Sequence, residues 1–248
     1  MALLLGLSGI QLFGLGLGVA GLLVLTVSVR YVWRATAVLR AQDVDSIDSL
    51  DSGTLVRVSG TIESIEDPIT TPFSGTDCAV LRYGIEERRL SPYLLPWFVT
   101  IHERTAAHPF TLRTATGTVA VVEAVRTVTL EKKVVATVGA DEEPPERIAD
   151  FQRSVSGAPG WTIWRDPPQP FRRLARTLSL GRRRYLEQRA IESDRVTAVG
   201  RVAEDGLDPI VVSDRSPTDT LVRMAKTSLA GVLIGGGTLS LAILLLVI

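Results

Sequence analysis

The sequence contains a single cysteine, Cys78, and only two histidines, His102 and His108, in 248 residues. One cysteine excludes an internal disulfide framework and any multi-cysteine zinc or iron–sulfur site. The two histidines have no finger-like spacing, so they are interpreted as ordinary domain residues. Phosphate loops, dinucleotide fingerprints and nucleophile elbows are also missing. We therefore expect no metal, no cofactor and no catalytic residue, and an enzyme is the less favoured class.

The chain also lacks net charge, because 27 basic residues balance 27 acidic ones. A neutral chain has no global field that would recruit nucleic acid or an acidic lipid surface. Only three of the basic residues are lysines, a bias that is typical of a GC-rich genome. Nucleic acid is therefore an unfavoured partner.

Charge is missing altogether from two long stretches at the ends of the chain. No ionisable side chain occurs between Ala2 and Val29, and none occurs from Thr227 to Ile248. Since about 20 apolar residues cross a hydrocarbon core of about 30 Å, residues 1–30 and 227–248 are predicted to be transmembrane helices. A cleaved signal peptide is the rival for the first stretch, but it needs a positive start and a shorter apolar run. We expect a two-pass protein of the cell membrane, with the lipid bilayer as a partner.

Basic residues flank both stretches on the side of the middle of the chain. They are Arg30, Arg34, Arg40, Arg215, Arg223 and Lys226. Because basic residues near a span favour the cytoplasm, the middle domain is predicted to be cytoplasmic. Gly14 with Gly18, and Gly231 with Gly235, form pairs of small residues one helical turn apart. Such pairs predict that the two helices pack against each other.

The residues between the helices predict a mainly antiparallel β domain with short helices, so the expected fold class is α+β. Closely spaced strands, which favour a small barrel of OB type, are predicted at 54–65, 78–90, 98–104, 110–113, 119–124 and 125–138. Residues 43–53 are predicted to form a short amphipathic helix or a turn.

A weak internal repeat accompanies these strands. Val56-x-Val58-x-Gly60 matches Val196-x-Ala198-x-Gly200, and each segment has the pattern of a strand that opens a barrel. Gly60 is predicted to lie at a bulge or a tight bend. The repeat leaves open whether the domain is one barrel or two lobes, at 43–140 and 185–216.

Residues 141–184 differ in composition and are rich in proline, tryptophan and arginine. They predict a short helix around 146–153, a loop broken by prolines, and then a basic amphipathic helix. The arginines of that helix either contact a partner or face water on a helix packed on the domain. The predicted contact surface for a protein or for anionic lipid consists of Trp161, Trp164, Arg172, Arg173, Arg182, Arg183 and Arg184.

Several short motifs occur in a specific order along the chain. They are Gly60-Thr-Ile-Glu, Pro68, Thr71-Pro72-Phe-Ser-Gly-Thr-Asp-Cys78, Leu81-Arg-Tyr83, Tyr185-x-Glu187, the strand from Val196 to Gly200, and Val212-Ser213-Asp214-Arg-Ser216. This order resembles the GIDE domain, also called the beside-a-membrane domain, over nearly the whole chain. The order of helix, domain and helix is similar to that of the organellar outer-membrane ubiquitin ligases of the family. The resemblance implies a membrane-anchored module that presents a surface to a protein partner.

The ligases of that family use a RING finger, whose closely spaced Cys and His ligands hold zinc. One cysteine and two histidines cannot supply those ligands, so we expect neither zinc nor ubiquitin transferase activity. Two alternatives to the interaction module remain open. One is a membrane organiser similar to the NfeD group, which also joins spans to a small barrel. The other is a residual role in ubiquitin-like conjugation, with the catalytic parts supplied by a partner.

The predicted topology can be tested with single cysteines at Ser46 and Ser216 in a Cys78→Ser background. Because a cytoplasmic domain is shielded by the membrane, a membrane-impermeant maleimide should leave both positions unlabelled on intact cells. The same positions should be labelled after lysis, as measured by a gel shift. Rapid labelling without lysis would reverse the assigned topology.

Overall fold

The computed structural model of the chain describes residues 8–122, 125, 127–154, 161–214 and 217–247, with the side chains of 31–39 and 217–229 left out. The orientation prediction rests partly on Arg34, Arg215, Arg223 and Lys226, which lie outside the described residues and side chains. The chain divides into two units, one made of Met1–Gln42 with Arg215–Ile248, and the other of Asp43–Asp214.

The helices are α1 (Gly9–Arg40), α2 (Glu146–Ser154), α3 (Arg172–Thr177) and α4 (Pro217–Val247), with a 3-10 turn at Gln169–Phe171. The strands are β1 (Gln42–Asp43), β2 (Leu55–Ile65), β3 (Ile69–Thr70), β4 (Asp77–Cys78), β5 (Val80–Leu90), β6 (Pro96–Ala107), β7 (Phe110–Arg113), β8 (Thr118–Val121), β9 (Thr127–Thr129), β10 (Lys133–Val138), β11 (Arg183–Ala190), β12 (Arg195–Ala203) and β13 (Gly206–Ser213).

The two terminal helices are long and apolar enough to cross a membrane. The apolar parts are Gly9–Arg30 of α1, with 22 residues, and Ala230–Val247 of α4, with 18 residues. Most of their large aliphatic side chains are exposed, as expected when the solvent of a helix is lipid rather than water. Two terminal apolar helices that flank a strand-rich domain are the fold class predicted above.

Within the helical unit, α1 and α4 approach each other along their glycines. A Cβ atom on Gly14 would lie 3.1 Å from Leu245 Cβ, and one on Gly18 would lie 3.4 Å from Ala242 Cβ. On the other helix, a Cβ atom on Gly235 would lie 2.9 Å from the backbone nitrogen of Leu25. Small residues at these positions let the two backbones come within van der Waals distance, which is the main attraction between helices in lipid. Gly231, whose added Cβ would meet the Ser28 side chain, belongs to the same contact, as does Gly21.

Five strands of the middle domain close into a barrel in the order β2-β12-β13-β8-β7, with β7 pairing back to β2. All neighbouring strands are antiparallel except β13 and β8, which are parallel. If these strands are numbered along the chain, the order is 1-4-5-3-2, with strands 3 and 5 parallel. This arrangement is that of a five-stranded Greek-key barrel of OB type, so the predicted OB-like barrel is confirmed.

The two segments of the internal repeat are neighbours in this one barrel. β12 pairs antiparallel with β2, with Val196 opposite Gly60 and Gly200 opposite Val56. Val56, Val58, Val196 and Ala198 all point into the same core. The structure therefore places residues of both suggested lobes in one barrel. The similarity of the segments has a physical reason, since both line the same narrow interior with small apolar residues.

The rest of the domain is inserted between the barrel strands. The β5–β6 hairpin follows the first barrel strand, while β10, α2, α3 and β11 lie between the third and fourth. Together they form an antiparallel sheet in the order β10-β11-β5-β6. α2 packs Ile148 and Phe151 against this sheet, where a second core includes Phe73, Ile85 and Tyr185. The predicted short helix corresponds to α2, and residues 44–54 contain turns rather than a helix.

Gly60 lies where β2 passes from one neighbour to the other. The central residue Thr61 is paired with Arg195 of β12 and also with Arg113 of β7. A Cβ atom on Gly60 would lie 2.5 Å from the carbonyl oxygen of Arg113. The position thus requires glycine because the backbone of another strand approaches it closely. The bulge in this pairing lies further along, between Ile62 and Ser64.

Gly60→Ala should lower the free energy of unfolding by about 1–3 kcal/mol, because the added methyl group would force the barrel strands apart. The measurement is urea unfolding of the full-length protein in detergent micelles, followed by tryptophan fluorescence. Gly117→Ala is the matched control, since a Cβ atom there meets nothing within 4 Å. Equal stability of the two variants would show that β2 does not need this close approach.

Candidate interaction surface

A buried ion pair organises the inserted sheet. The guanidinium of Arg183 on β11 donates to Glu87 Oε2 on β5, with Nη2 at 3.0 Å and Nε at 3.1 Å. Both side chains are nearly inaccessible, with 2% of Arg183 and none of Glu87 exposed. Thr162 Oγ1 donates to the same carboxylate at 3.0 Å, and Arg89 Nε donates to the other oxygen at 2.9 Å. The carboxylate is satisfied by four donors, as a buried charge requires.

This pair also fixes the loop that leads to α3. Thr162 ties the loop to Glu87, and the backbone of Gly181 bonds to the carbonyl of Arg88. Arg165, half-buried in the same loop, donates to the carbonyl of Ala140 at 3.0 Å. Burial, and then the positive charge of Arg183, lower the pKa of the Arg165 guanidinium. Arg165 and Arg183 therefore lie close enough for their charges to interact at this end of the sheet.

An open cavity of about 450 Å³ lies beside Arg165. Its charged lining residues are Arg165, Arg172, Arg176, Arg182, Asp141, Glu142 and Asp166. Asp166 accepts from Arg172 at 3.2 Å, and Glu142 accepts from the backbone nitrogen of Gly139 at 2.6 Å. Neither Arg176 nor Arg182 has a carboxylate partner among the residues that the structure describes. These two guanidinium groups are therefore available to an anionic group that enters the cavity.

The seven predicted contact residues fall into four environments. Arg172, Arg182 and Trp164 line the cavity. Trp161 is 69% exposed, and Arg173 is exposed on α3 and does not line the cavity.

Arg183 does not belong to the surface, because its guanidinium is buried in an ion pair with Glu87. This part of the prediction is wrong. The predicted basic helix is also shorter than expected, since α3 ends at Thr177 and Arg183 already belongs to β11. Arg184 lies on the other face of the sheet, with its guanidinium carbon 3.8 Å from the centroid of the Phe98 ring.

Sequence reasoning missed a second exposed feature, the tip of the β5–β6 hairpin. Tyr93, Leu94, Leu95 and Trp97 are 86%, 73%, 67% and 56% exposed. The signal that could have found it is an uncharged run, Pro92-Tyr-Leu-Leu-Pro-Trp97, between two charged strands. Large apolar side chains that stand next to one another in water mark a contact site more often than isolated ones do.

The Thr71–Cys78 motif around Pro72 is held by one buried side chain. Glu187 on β11 accepts from the backbone nitrogens of Phe73 and Ser74, at 2.9 and 3.0 Å, and from Ser74 Oγ at 2.6 Å. Arg189 Nη1 completes the arrangement at 2.9 Å. The loop thereby buries Phe73 edge-on against Tyr83 and Tyr185. The Thr71–Cys78 motif and the Tyr185-x-Glu187 motif, which are distant in the sequence, therefore form one structural unit.

The remaining motif residues have structural partners. Gly200 lies at a bulge of β12, where an added Cβ would be 2.2 Å from the carbonyl oxygen of Asp208. Ser213 Oγ donates to the carbonyl of Thr129 at 3.1 Å, and Asp214 accepts from the backbone nitrogen of Glu131 at 2.6 Å. They join the last barrel strand to β9 and the residues after it.

Cys78, His102 and His108 make packing and hydrogen-bond contacts that are typical of structural residues rather than of catalytic ones. The Cys78 thiol is fully buried and donates to the carbonyl of Ile69 at 3.2 Å. Burial, and then the nearby Glu187 charge, raise its pKa to about 12, so the thiol is protonated at neutral pH. His102 packs on Tyr83 and Phe151, and burial lowers the pKa of its ring. His108 contacts the Asp67 backbone carbonyl at 2.7 Å.

Comparison of the chain with protein-family models, with curated proteins and with solved structures found no match. Among the described residues, no group of three or more His, Cys, Asp or Glu side chains has the arrangement of a metal site. The resemblance to the GIDE domain stays a prediction based on the order of its motifs.

Glu87→Gln should lower the free energy of unfolding by about 3–5 kcal/mol, because it removes the carboxylate charge that faces the buried Arg183 guanidinium. The double variant Glu87→Met with Arg183→Met should recover part of this loss, since apolar side chains of similar volume need no counter-ion. Glu63→Gln is the control, because its partner Arg113 is exposed and such pairs contribute about 1 kcal/mol or less. The measurement is urea unfolding in micelles, and a Glu87→Gln variant as stable as the control would contradict the assigned role.

Proposed function

We propose that this chain is a membrane-anchored interaction module, whose OB-type domain holds a partner protein at the membrane surface by binding an acidic segment of that partner. The observation that carries the proposal is the arginine-lined cavity beside the buried Glu87–Arg183 pair. Arg176 and Arg182 line it without carboxylate partners among the described residues. Arginine is suited to this task because its planar guanidinium binds a carboxylate through two parallel hydrogen bonds.

The rigidity of the cavity supports a binding role. The loop that carries Trp164 and Arg165 is tied to the sheet through Thr162, Glu87 and Gly181. Gly181, with φ of +75°, lies against the Trp164 carbonyl, where an added Cβ would be only 2.4 Å from the oxygen. A preorganised site loses less conformational entropy on binding than a mobile one.

The barrel surface argues against nucleic acid as the partner. OB folds that bind single strands combine aromatic stacking platforms with a positively charged groove. The outward residues of β7 and β8 are Thr111, Arg113, Thr118 and Ala120, while Phe110 points into the core. The β12–β13 turn carries Glu204 and Asp205, which would repel phosphate.

The cytoplasmic side is the proposed location of the module. Basic residues at the inner ends of both apolar stretches favour retention of the domain on that side. The resemblance to the GIDE domain supports the same function, because that family places an interaction domain next to its membrane helices.

A membrane organiser similar to the NfeD group is the second candidate. The closed five-stranded barrel next to two apolar helices favours it, because that group also joins spans to a small barrel. The large inserted sheet with its cavity is the reason to rank it second.

The acidic-partner function can be tested by photo-crosslinking in native membranes, with p-benzoylphenylalanine in place of the exposed Trp161. The full-length protein should form protein adducts, and Arg176→Glu with Arg182→Glu should weaken them by about 10-fold or more, because both cavity charges are reversed. The measurement is the adduct yield on immunoblots at equal expression.

Arg173→Glu with Arg195→Glu is the matched control, since it changes the net charge equally with exposed arginines that do not line the cavity. The control should keep the adducts. Equal loss in the two double variants would assign the effect to overall charge and overturn the cavity as the binding site.

A further inference from the structure

The exposed β5–β6 tip, residues Ser91–Trp97, has the composition of a membrane-interface segment. Tyr93 and Trp97 flank Leu94 and Leu95, and all four are more than half exposed. Tyrosine and tryptophan concentrate at the membrane–water interface, because an apolar ring and a polar edge suit that zone. The tip belongs to neither of the two cores of the domain.

The backbone of the tip is already hydrogen-bonded. The backbone nitrogen of Ser91 donates to the Leu95 carbonyl at 2.9 Å, and that of Leu94 donates to the Ser91 carbonyl at 2.9 Å. The backbone nitrogen of Leu95 donates to Ser91 Oγ at 3.1 Å, and Pro92 and Pro96 have no N–H group at all. These internal hydrogen bonds and the two prolines reduce the number of backbone donors that would lose water when the tip enters a region poor in water.

The turn holds its central leucine in a strained conformation. Leu94 has a φ of +61°, a left-handed conformation that side chains with a Cβ rarely adopt. The Leu94 residue in this turn is 73% exposed and does not pack on the hairpin cores. Strain of this kind persists at sites where the outward side chain has a use.

Cations surround the base of the tip. The backbone of Arg88 bonds to that of Arg182, so the two residues lie side by side where β5 approaches the tip. Arg184 follows on β11 and stacks on Phe98, which is paired with Arg88. Neither Arg88 nor Arg184 has a carboxylate partner among the described side chains. Their charge is complementary to anionic phospholipid head groups.

The lipid bilayer is the occupant that these observations favour. The chain joins the domain directly to α1, which ends at Arg40, and to α4, which begins at Pro217, and these helices carry the two apolar spans. We propose that the tip Ser91–Trp97 inserts into the interface of the membrane that the apolar helices cross, with Arg88 and Arg184 on anionic head groups. This contact would limit the orientations that the domain can adopt at the membrane surface.

The test places an environment-sensitive NBD fluorophore on the tip of the full-length protein, through Leu94→Cys in a Cys78→Ser background. The protein is reconstituted into phosphatidylcholine vesicles, with or without about 30 mol % phosphatidylglycerol to supply anionic head groups. Thr116→Cys, in the exposed β7–β8 turn, is the matched control position. Quenching is measured with head-group-proximal doxyl lipids and with aqueous iodide.

At position 94, doxyl quenching should be at least about twofold stronger than at position 116, with weaker iodide quenching, because the tip lies among lipids. Arg184→Gln should reduce the preference for anionic vesicles. Iodide quenching as strong at 94 as at 116 in both vesicle types would overturn the proposal. Shielding from iodide without doxyl quenching would assign the tip to a second copy of the chain and overturn it equally. The acidic-partner proposal is unaffected by either outcome, since its readout is adducts from position 161.

Discussion

Closure of the barrel by β2 is the constraint on which the rest of the domain depends. β2, a strand of 11 residues, pairs with β12 on one side and with β7 on the other, and Thr61 is paired with both strands. Closure removes the free strand edges that an open sheet would expose. It also brings the two ends of the domain together in one sheet, because the first barrel strand pairs with the fourth. The inserted elements are thereby held at fixed positions around it.

The inserted sheet then depends on buried charge rather than on a large apolar core. Glu87 and Glu187 are fully enclosed, and each gathers its donors from segments that are far apart in the sequence. Burying a carboxylate is unfavourable unless its oxygens are hydrogen-bonded, so the loops that supply the donors of Glu87 and Glu187 are held close to the sheet. Specific loop positions follow, including that of Arg165 at the cavity and that of Phe73 in the second core.

The two surface features have different chemistry and therefore suit different partners. The cavity concentrates guanidinium groups in a rigid concave wall, which favours carboxylates from a protein segment. The hairpin tip concentrates aromatic and aliphatic side chains on a convex turn, which favours a deformable apolar medium. A domain that bound lipid at the tip and protein at the cavity would present its partner at a defined height above the bilayer.

The sequence by itself determined the features that depend on local pattern. The uncharged ends predicted α1 and α4, and alternating residues such as Val56, Val58 and Ile62 predicted the barrel strands, because periodicity reflects which face is buried. Tertiary structure alone decided the features that join distant residues. Arg182, Arg183 and Arg184 are adjacent in sequence, yet one lines a cavity, one is buried on Glu87 and one stacks on Phe98. A strand sends successive side chains to opposite faces, and what each face meets depends on partners about 90 residues away, which no local pattern can encode.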